Sequence, residues 1–470
     1  MLRYFLPVIF LFAFFSCECS HDVNLGIPEP DLSKVEPQVA QKIVRLMKQV
    51  EQHPQSDTTW GKLAMNLDIH DFKLAAIPCY KKAAQLNSSE FRWPYFCAIA
   101  LYESGKIPQA IKWFYKCIKI DSAYTPLLIQ LGNALFQAGN SQEAEYYFKK
   151  ALNLNGNAKA HACTGLARIK LNQGLLEESK KYLKAAIREN FKFREAHGLL
   201  AEVYRRSGQP DSARIELILA QKFTKITPLR DPYYEEMIAE GVSSLWYRKR
   251  GLGYMGLGKI DRALHEFQQA LKYKPDAEGY VYLGKLYLRQ NNYKEAIEQF
   301  RKALRFNANY QEAYLALAGT YETMGDLQQA NNLLKTILQI NPYYERAYIK
   351  LAKIYLKHKQ ISQAIGIMNT ALNYLPDSAE LLILFARTLI AYPQNKMDTK
   401  QILQMAYKAC SLTHFSDPGI LDTYAEILAS QGKFQEAKNI EQKAYQLALS
   451  LGDSTLTEKI RNHLFKLRKN

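Results

Sequence analysis

Few residues in this chain stand at spacings that could carry chemistry. Residues 251–256, GLGYMG, match the GxGxxG pattern with which a glycine loop wraps a pyrophosphate. That chemistry needs a strand before the glycines and a helix beginning at them, so that backbone N–H groups point at the phosphates. Here no strand precedes them and the flanking apolar residues keep helical spacing, so nucleotide binding is not expected. No Walker-type loop and no HExxH occurs, and none of the nine His stands at metal-ligand spacing from another His or from a Cys. Seven Cys in 470 residues exclude a dense disulfide scaffold. Cys79 and Cys97 could pair in an oxidising compartment, given a geometry that sequence does not supply. No carboxylate pair and no nucleophile beside a base stands out. The chain reads as non-catalytic, with no cofactor and no metal.

The elements that would position any binding residue are legible as a period. Glycines at 105, 139, 174 and 208 recur every 34 or 35 residues. Ala76, Ala110, Ala144, Ser179, Ala213, Ala263, Ala296, Ala330 and Ala364 recur at nearly the same interval, apart from one wide gap between Ala213 and Ala263. Apolar and aromatic residues fall at helical spacing before and after each glycine, so each unit predicts two amphipathic helices joined by a tight turn. Length alone would suggest about three domains of roughly 150 residues, but the period makes length a count of copies. Eleven units start near residues 57, 91, 125, 160, 194, 244, 277, 311, 345, 379 and 418. With 48% apolar and 23% charged residues the composition is globular and not disordered.

The unit resembles the tetratricopeptide repeat. From Ala277 the pattern is met by Tyr280, Leu283, Gly284, Tyr287, Ala296, Phe300 and Ala303, and from Gln311 by Tyr314, Leu317, Ala318, Tyr321, Ala330 and Pro342. Small residues let paired helices approach, aromatics fill the space between hairpins, and the Pro ends the second helix. The resemblance implies an all-α fold, a right-handed α-α superhelix of about eleven helix-turn-helix repeats. The expected organisation is a signal segment (1–19), a tether and N-terminal helix (20–56), units 1–5 (57–223), and an extra helical insert (224–243) with Asp231 as cap and Pro232 in its first turn. Units 6–9 (244–378) follow, then units 10–11 with a capping helix (379–470). The insert is expected to bend the array. Cys97 and Cys117 fall on repeat-core positions; His161 and His197, near the starts of first helices in adjacent units, are expected on the surface or in the groove. FRWPYF at 91–96, the DPYYEE insert and the closing region are similar to long bacterial secreted tetratricopeptide proteins, some fused to cytochrome c domains; no CxxCH is present here. That resemblance implies binding or scaffolding.

In such a superhelix first helices line a concave groove at their second, fifth, ninth and twelfth positions. Those positions place Arg92, Tyr95, Tyr102, Asn133, Arg168, Arg248, Lys285, Arg346, Lys353 and Arg387 in the groove, among acids that include Glu195, Glu278, Glu312, Glu322 and Glu426. Basic residues at the ninth position, Arg168, Lys285, Lys353 and Arg387, would suit a peptide with acidic side chains or a C-terminal carboxylate. The carboxylate clamp of chaperone-binding relatives is not expected, because Gly61 and Met65 stand where it needs Lys and Asn.

Residues 1–20 carry Arg3 and then an apolar run from Tyr4 to Phe15, too short for a spanning helix and fitting a secretory signal. Ser16-Cys17 resembles a bacterial lipobox, which would make Cys17 the lipidated first residue; Phe14 departs from the usual Leu and leaves plain cleavage or an uncleaved anchor as alternatives. The net charge is +17, and residues 57–223 hold 24 Lys and Arg against 15 Asp and Glu. The excess could hold the array near an anionic envelope surface or serve solubility. An export signal argues against RNA. The expected partners are proteins or peptides and, through the N-terminus, a membrane; the expected role is an exported scaffold, or alternatively an accessory lipoprotein of an envelope assembly or export system built around a pilus or an acidic polysaccharide.

Overall fold

The computed structural model describes residues 26–154, 158–223, 229–393 and 397–467. Those residues form 25 helices and no strand. Helix α1 (Pro37–Gln52) precedes five hairpins: α2 (Asp57–Ile69) with α3 (Lys73–Leu86), α4 (Arg92–Glu103) with α5 (Ile107–Ile120), α6 (Thr125–Gln137) with α7 (Ser141–Asn153), α8 (Lys159–Asn172) with α9 (Leu176–Glu189), and α10 (Arg194–Arg206) with α11 (Pro210–Lys222). The short α12 (Pro232–Ala239) interrupts them. Six more follow: α13 (Ser244–Gly256) with α14 (Ile260–Tyr273), α15 (Ala277–Arg289) with α16 (Tyr293–Phe306), α17 (Gln311–Thr323) with α18 (Leu327–Ile340), α19 (Glu345–Lys357) with α20 (Ile361–Tyr374), α21 (Ala379–Ala391) with α22 (Thr399–Leu412), and α23 (Pro418–Ser430) with α24 (Phe434–Ser450). Helix α25 (Ser454–Leu467) closes the chain. This is the all-α solenoid of eleven hairpins that the period predicts.

Local chemistry sets the hairpins. Between paired helices one residue takes a left-handed conformation, supplied by Gly105, Gly139, Gly174 and Gly208 at φ of 75°, 86°, 75° and 70°. Asn291 and Lys359 hold the same place in other units at φ of 60° and 58°. Several first helices are capped by side chains: Ser56 accepts from Thr59 N, Asp276 from Gly279 N, and Ser378 from Leu381 N. Within a hairpin, Gly284 on α15 lies so close to Phe300 on α16 that a Cβ there would fall 2.3 Å from the ring. Gly251, the first glycine of GLGYMG, faces Phe267 in the same way, and the whole motif lies inside α13. Gly251 serves helix packing, whereas Gly253 and Gly256 face open space.

First helices also pack on first helices of the next unit, as α4 does on α6, α6 on α8 and α21 on α23, whereas second helices form no comparable interface among the described residues. First helices are therefore on the inside of the curve. The core is divided along the array: one cluster spans the first four units and takes in Met237, and another spans units 8 to 11.

The insert packs back on the start of the array. Helix α13 forms no interface with α11 among the described residues; instead residues 229–246 return to the N-terminal units. The far end also returns, since the C-terminal core reaches Ile215 of α11 and a Cβ on Gly452 would meet the Phe191 ring at 3.4 Å. No helix among the described residues is long and apolar enough to cross a membrane. The signal segment and Cys17 lie outside the described residues.

Candidate peptide-binding site

The inner wall of the first three units is occupied by the chain itself. Asp231 caps α12 by accepting from Tyr233 N and Tyr234 N at 3.1 and 3.2 Å. The same carboxylate accepts from Tyr95 Oη at 2.5 Å and Tyr124 Oη at 2.6 Å. Burial, and then the Asp231 charge, pushes the Tyr95 hydroxyl well above its ordinary range, so it stays a donor. The Tyr233 ring stacks on Phe91 with centroids 5.2 Å apart, and Tyr80 Oη lies 3.5 Å from Met237 Sδ. Arg92 is held by Glu90 and, at 2.9 Å, by Glu236 of the insert.

Further along, Lys42 Nζ pairs with Glu240 at 2.6 Å and Val242 N donates to His70 Nε2 at 3.4 Å. Glu36 accepts from Ser244 N at 2.9 Å, and Trp246 Nε1 donates to the Ile69 carbonyl at 2.7 Å. Burial, and then the charge of Lys42, lowers His70 to about 4, so its imidazole is neutral and can accept from Val242. Of the residues predicted to line the groove, Tyr95 is thus fully buried, 0% exposed, and Arg92 is engaged by the insert. Neither faces an open groove, because the insert fills it.

The open part of the wall lies in the second half. Helices α15, α17, α19 and α21 border a cleft of about 590 Å³ lined by Lys285, Glu312, Glu322, Arg346, Lys350, Lys353 and Glu380 over Leu315, Ala316 and Ile349. Three predicted residues, Lys285, Arg346 and Lys353, meet here. They do not form a free basic ladder. Lys353 pairs with Glu380 at 3.2 Å, Lys350 with Glu322 at 2.6 Å, and Arg346 with Glu312 at 3.6 Å. A cation on one first helix meets an acid on its neighbour, an outcome that follows from placing opposite charges at facing positions of adjacent units. Lys285 differs: its ammonium sits 5.7 Å from the Tyr282 ring centroid, and no carboxylate is within ion-pairing distance among the described residues. Arg346–Glu312 and Lys353–Glu380 are solvent-exposed pairs, each worth about 0–1 kcal/mol, which a ligand can exchange at little cost, whereas Lys350–Glu322 is part-buried.

The other predicted residues lie apart from this cleft. Arg168 Nη2 reaches Asn133 Oδ1 and Glu195 Oε1, both at 3.3 Å, and half-buried Tyr102 feels its charge. Arg248 is tied to Asp276 and Glu278, and Arg387 to Glu426 at 3.7 Å. Sequence reasoning missed Leu315, Ile349 and Lys350. Leu315 and Ile349 stand at the fifth position, where the pattern points into the groove, and the search for charges passed over them. His197 is also a correction: it is buried, hydrogen-bonded to Glu216 at 2.6 Å and the Phe191 carbonyl at 2.7 Å. Cys79 and Cys97 are separate buried thiols and form no disulfide.

Comparison with known proteins agrees with this architecture. Residues 261–382 match the profile of the cytochrome c-type biogenesis protein H TPR domain, and residues 135–203 match a tetratricopeptide repeat profile. This chain is a tetratricopeptide-repeat protein. No curated protein matches it. Among solved structures, yeast Tom70 is similar with 14% identity and a TM-score of 0.38, covering 88% of this chain and 95% of that one. The MamA protein is similar with 21% identity and a TM-score of 0.30, covering 36% of this chain and 92% of that one. Tetratricopeptide arrays generally mediate protein–protein interaction and are typically non-catalytic.

Proposed function

We propose that this chain is an exported, non-catalytic scaffold that holds a segment of a partner protein against the first helices of units 7 to 10. The observation that carries the reading is the self-occupied wall of units 1 to 3. There the same kind of surface already binds a peptide, through an acid accepting from tyrosines, a stacked aromatic and a buried Met. The cleft over Leu315 and Ile349 offers the corresponding features to a segment in trans: an apolar floor, exchangeable ion pairs, and Lys285 for a partner carboxylate. Every residue lining it falls within 261–382, the stretch similar to the tetratricopeptide domain of a biogenesis protein, which supports an assembly role.

Photocrosslinkers placed at Leu315 and Ile349 should capture one partner segment, and Lys285→Glu with Ile349→Asp should abolish capture. Equal capture from Thr370, outside the cleft, would refute the groove. The residues before the described region support export and tethering through Cys17; incorporation of labelled fatty acid, lost in Cys17→Ser, is the expected result. A second reading, an accessory lipoprotein that contacts an acidic polymer of the envelope, draws on the basic excess in residues 57–223. It requires polymer binding that falls steeply with salt.

A further inference from the structure

The last hairpin and its capping helix bring together charges that the repeat pattern does not call for. Asp422 and Glu426 lie one turn apart on α23, Glu441 faces them from α24, and His463 and Lys459 reach in from α25. His463 Nδ1 is 2.7 Å from Asp422 Oδ1, 3.4 Å from Glu426 Oε1 and 3.7 Å from Glu441 Oε1. Lys459 Nζ pairs with Asp422 Oδ2 at 2.6 Å.

Glu441 needs a physical account. Its side chain is 1% exposed, its Oε1 points at the His463 ring, and neither oxygen receives a hydrogen bond. A buried carboxylate without donors is strongly unfavourable unless something positive shares its space. Three carboxyl groups, those of Asp422, Glu426 and Glu441, converge here on one ammonium, Lys459, and one imidazole, His463. Burial, and then the facing Asp422, pushes the Glu441 carboxyl upward. Burial acts on Asp422 in the same sense, but hydrogen bonds, that from Lys459 foremost, bring it below the usual carboxylate range.

We propose that Asp422, Glu426, Glu441 and His463 form a binding site for one divalent first-row transition cation, of the zinc or manganese class, at the junction of α23, α24 and α25. A divalent ion supplies the positive partner to which the buried Glu441 oxygens, left without a hydrogen bond, can bind. The spacing fits: in a tetrahedral site with bonds of roughly 2.0–2.2 Å, neighbouring ligand atoms lie about 3.4 Å apart, and His463 Nδ1 stands 3.4 and 3.7 Å from the two glutamates. The donor atoms offered by Asp422, Glu426 and His463 all lie within 4.8 Å of one another. The shorter His463–Asp422 contact is a hydrogen bond that the ion replaces: Nδ1 gives up its proton and the ring binds as the neutral tautomer with its proton on Nε2, after which the two atoms separate by roughly 0.7 Å to reach ligand spacing. One imidazole among carboxylates selects first-row cations over calcium or magnesium. Lys459 is the built-in competitor, since its ammonium must release Asp422 Oδ2 for that oxygen to turn to the metal.

The test uses the full chain, stripped with a chelator and titrated with Zn²⁺ or Mn²⁺ alone. The expected result is one equivalent bound per chain. Co²⁺ bound in the same place should develop visible ligand-field absorption, and the bound ion should raise the melting temperature of the C-terminal units. Glu441→Gln and His463→Gln should each weaken binding at least about tenfold, whereas Lys459→Met should tighten it, a gain that a misfolded variant would not produce. Wild type without saturable binding at millimolar metal would overturn the proposal. So would binding that Glu441→Gln and His463→Gln leave unchanged, which would mean that the buried carboxyls simply share a proton.

Discussion

Replacing Asp231 by Ala should cost about 2–4 kcal/mol, read by urea unfolding followed through tryptophan fluorescence. One carboxylate caps α12 and also accepts from Tyr95 and Tyr124. Loss of a cap costs about 1 kcal/mol, and a buried hydroxyl left without an acceptor costs about 1–3 kcal/mol more. Tyr95→Phe removes donor and demand together and should cost only about 1 kcal/mol. A second comparison separates packing from helix propensity. Gly253 has open space where a Cβ would point, whereas a Cβ on Gly284 would strike Phe300. Ala is the better helix former by about 1 kcal/mol, so Gly253→Ala should gain roughly that amount in thermal unfolding. Gly284→Ala should instead lose about 1–3 kcal/mol to overpacking.

At the scale of elements, the contact between the insert and α2 is sensitive to acid. His70 has an ordinary value of 6.5 that docking lowers to about 4. The groups facing it are Lys42, Asp71, Glu36 and the Val242 N–H. Between those two values the released state binds a proton that the docked state refuses, so docking is strongest above about pH 6.5. It weakens as pH falls towards about 4 and loses nothing further from this group below that. Amide exchange in α12 should therefore quicken across that window, and His70→Gln should flatten the response. The sequence made α12 legible, because Pro232 after Asp231 is a helix start in any context. It could not show where the helix docks, since Asp231 meets Tyr95 across 136 residues and no periodic signal spans such a distance. The cleft was legible in part: the ninth-position rule found Lys285 and Lys353, while Leu315 and Ile349 hid among core leucines and isoleucines. Asp422 and Glu426 show one-turn spacing in sequence, but Glu441 and His463 come from other helices, and only the fold brings the four together.

At the scale of the molecule, a plain solenoid adds nearest-neighbour energies along a line. Here the line is broken between α11 and α13, and the insert joins unit 6 to the N-terminal units. All four tryptophans, Trp60, Trp93, Trp113 and Trp246, lie in the first two units or at the docked start of α13. Tryptophan fluorescence therefore reports the first half with its insert, and far-ultraviolet dichroism reports every helix. The two unfolding curves should not coincide. Coincidence would mean that the contact of the C-terminal core with Ile215 couples both halves into one unit.

The return of the insert also imposes an order in time. Glu36 finds Ser244 208 residues later in the chain. At about 5–20 residues per second, synthesis takes roughly 10–40 s to cover that interval. Hairpins close within themselves meanwhile, yet the inner wall around Phe91 and Tyr95 stays uncovered until residues 229–246 arrive. For that period the nascent protein displays a surface that the finished one hides, and a chaperone or a competing segment meets it before the chain's own segment does.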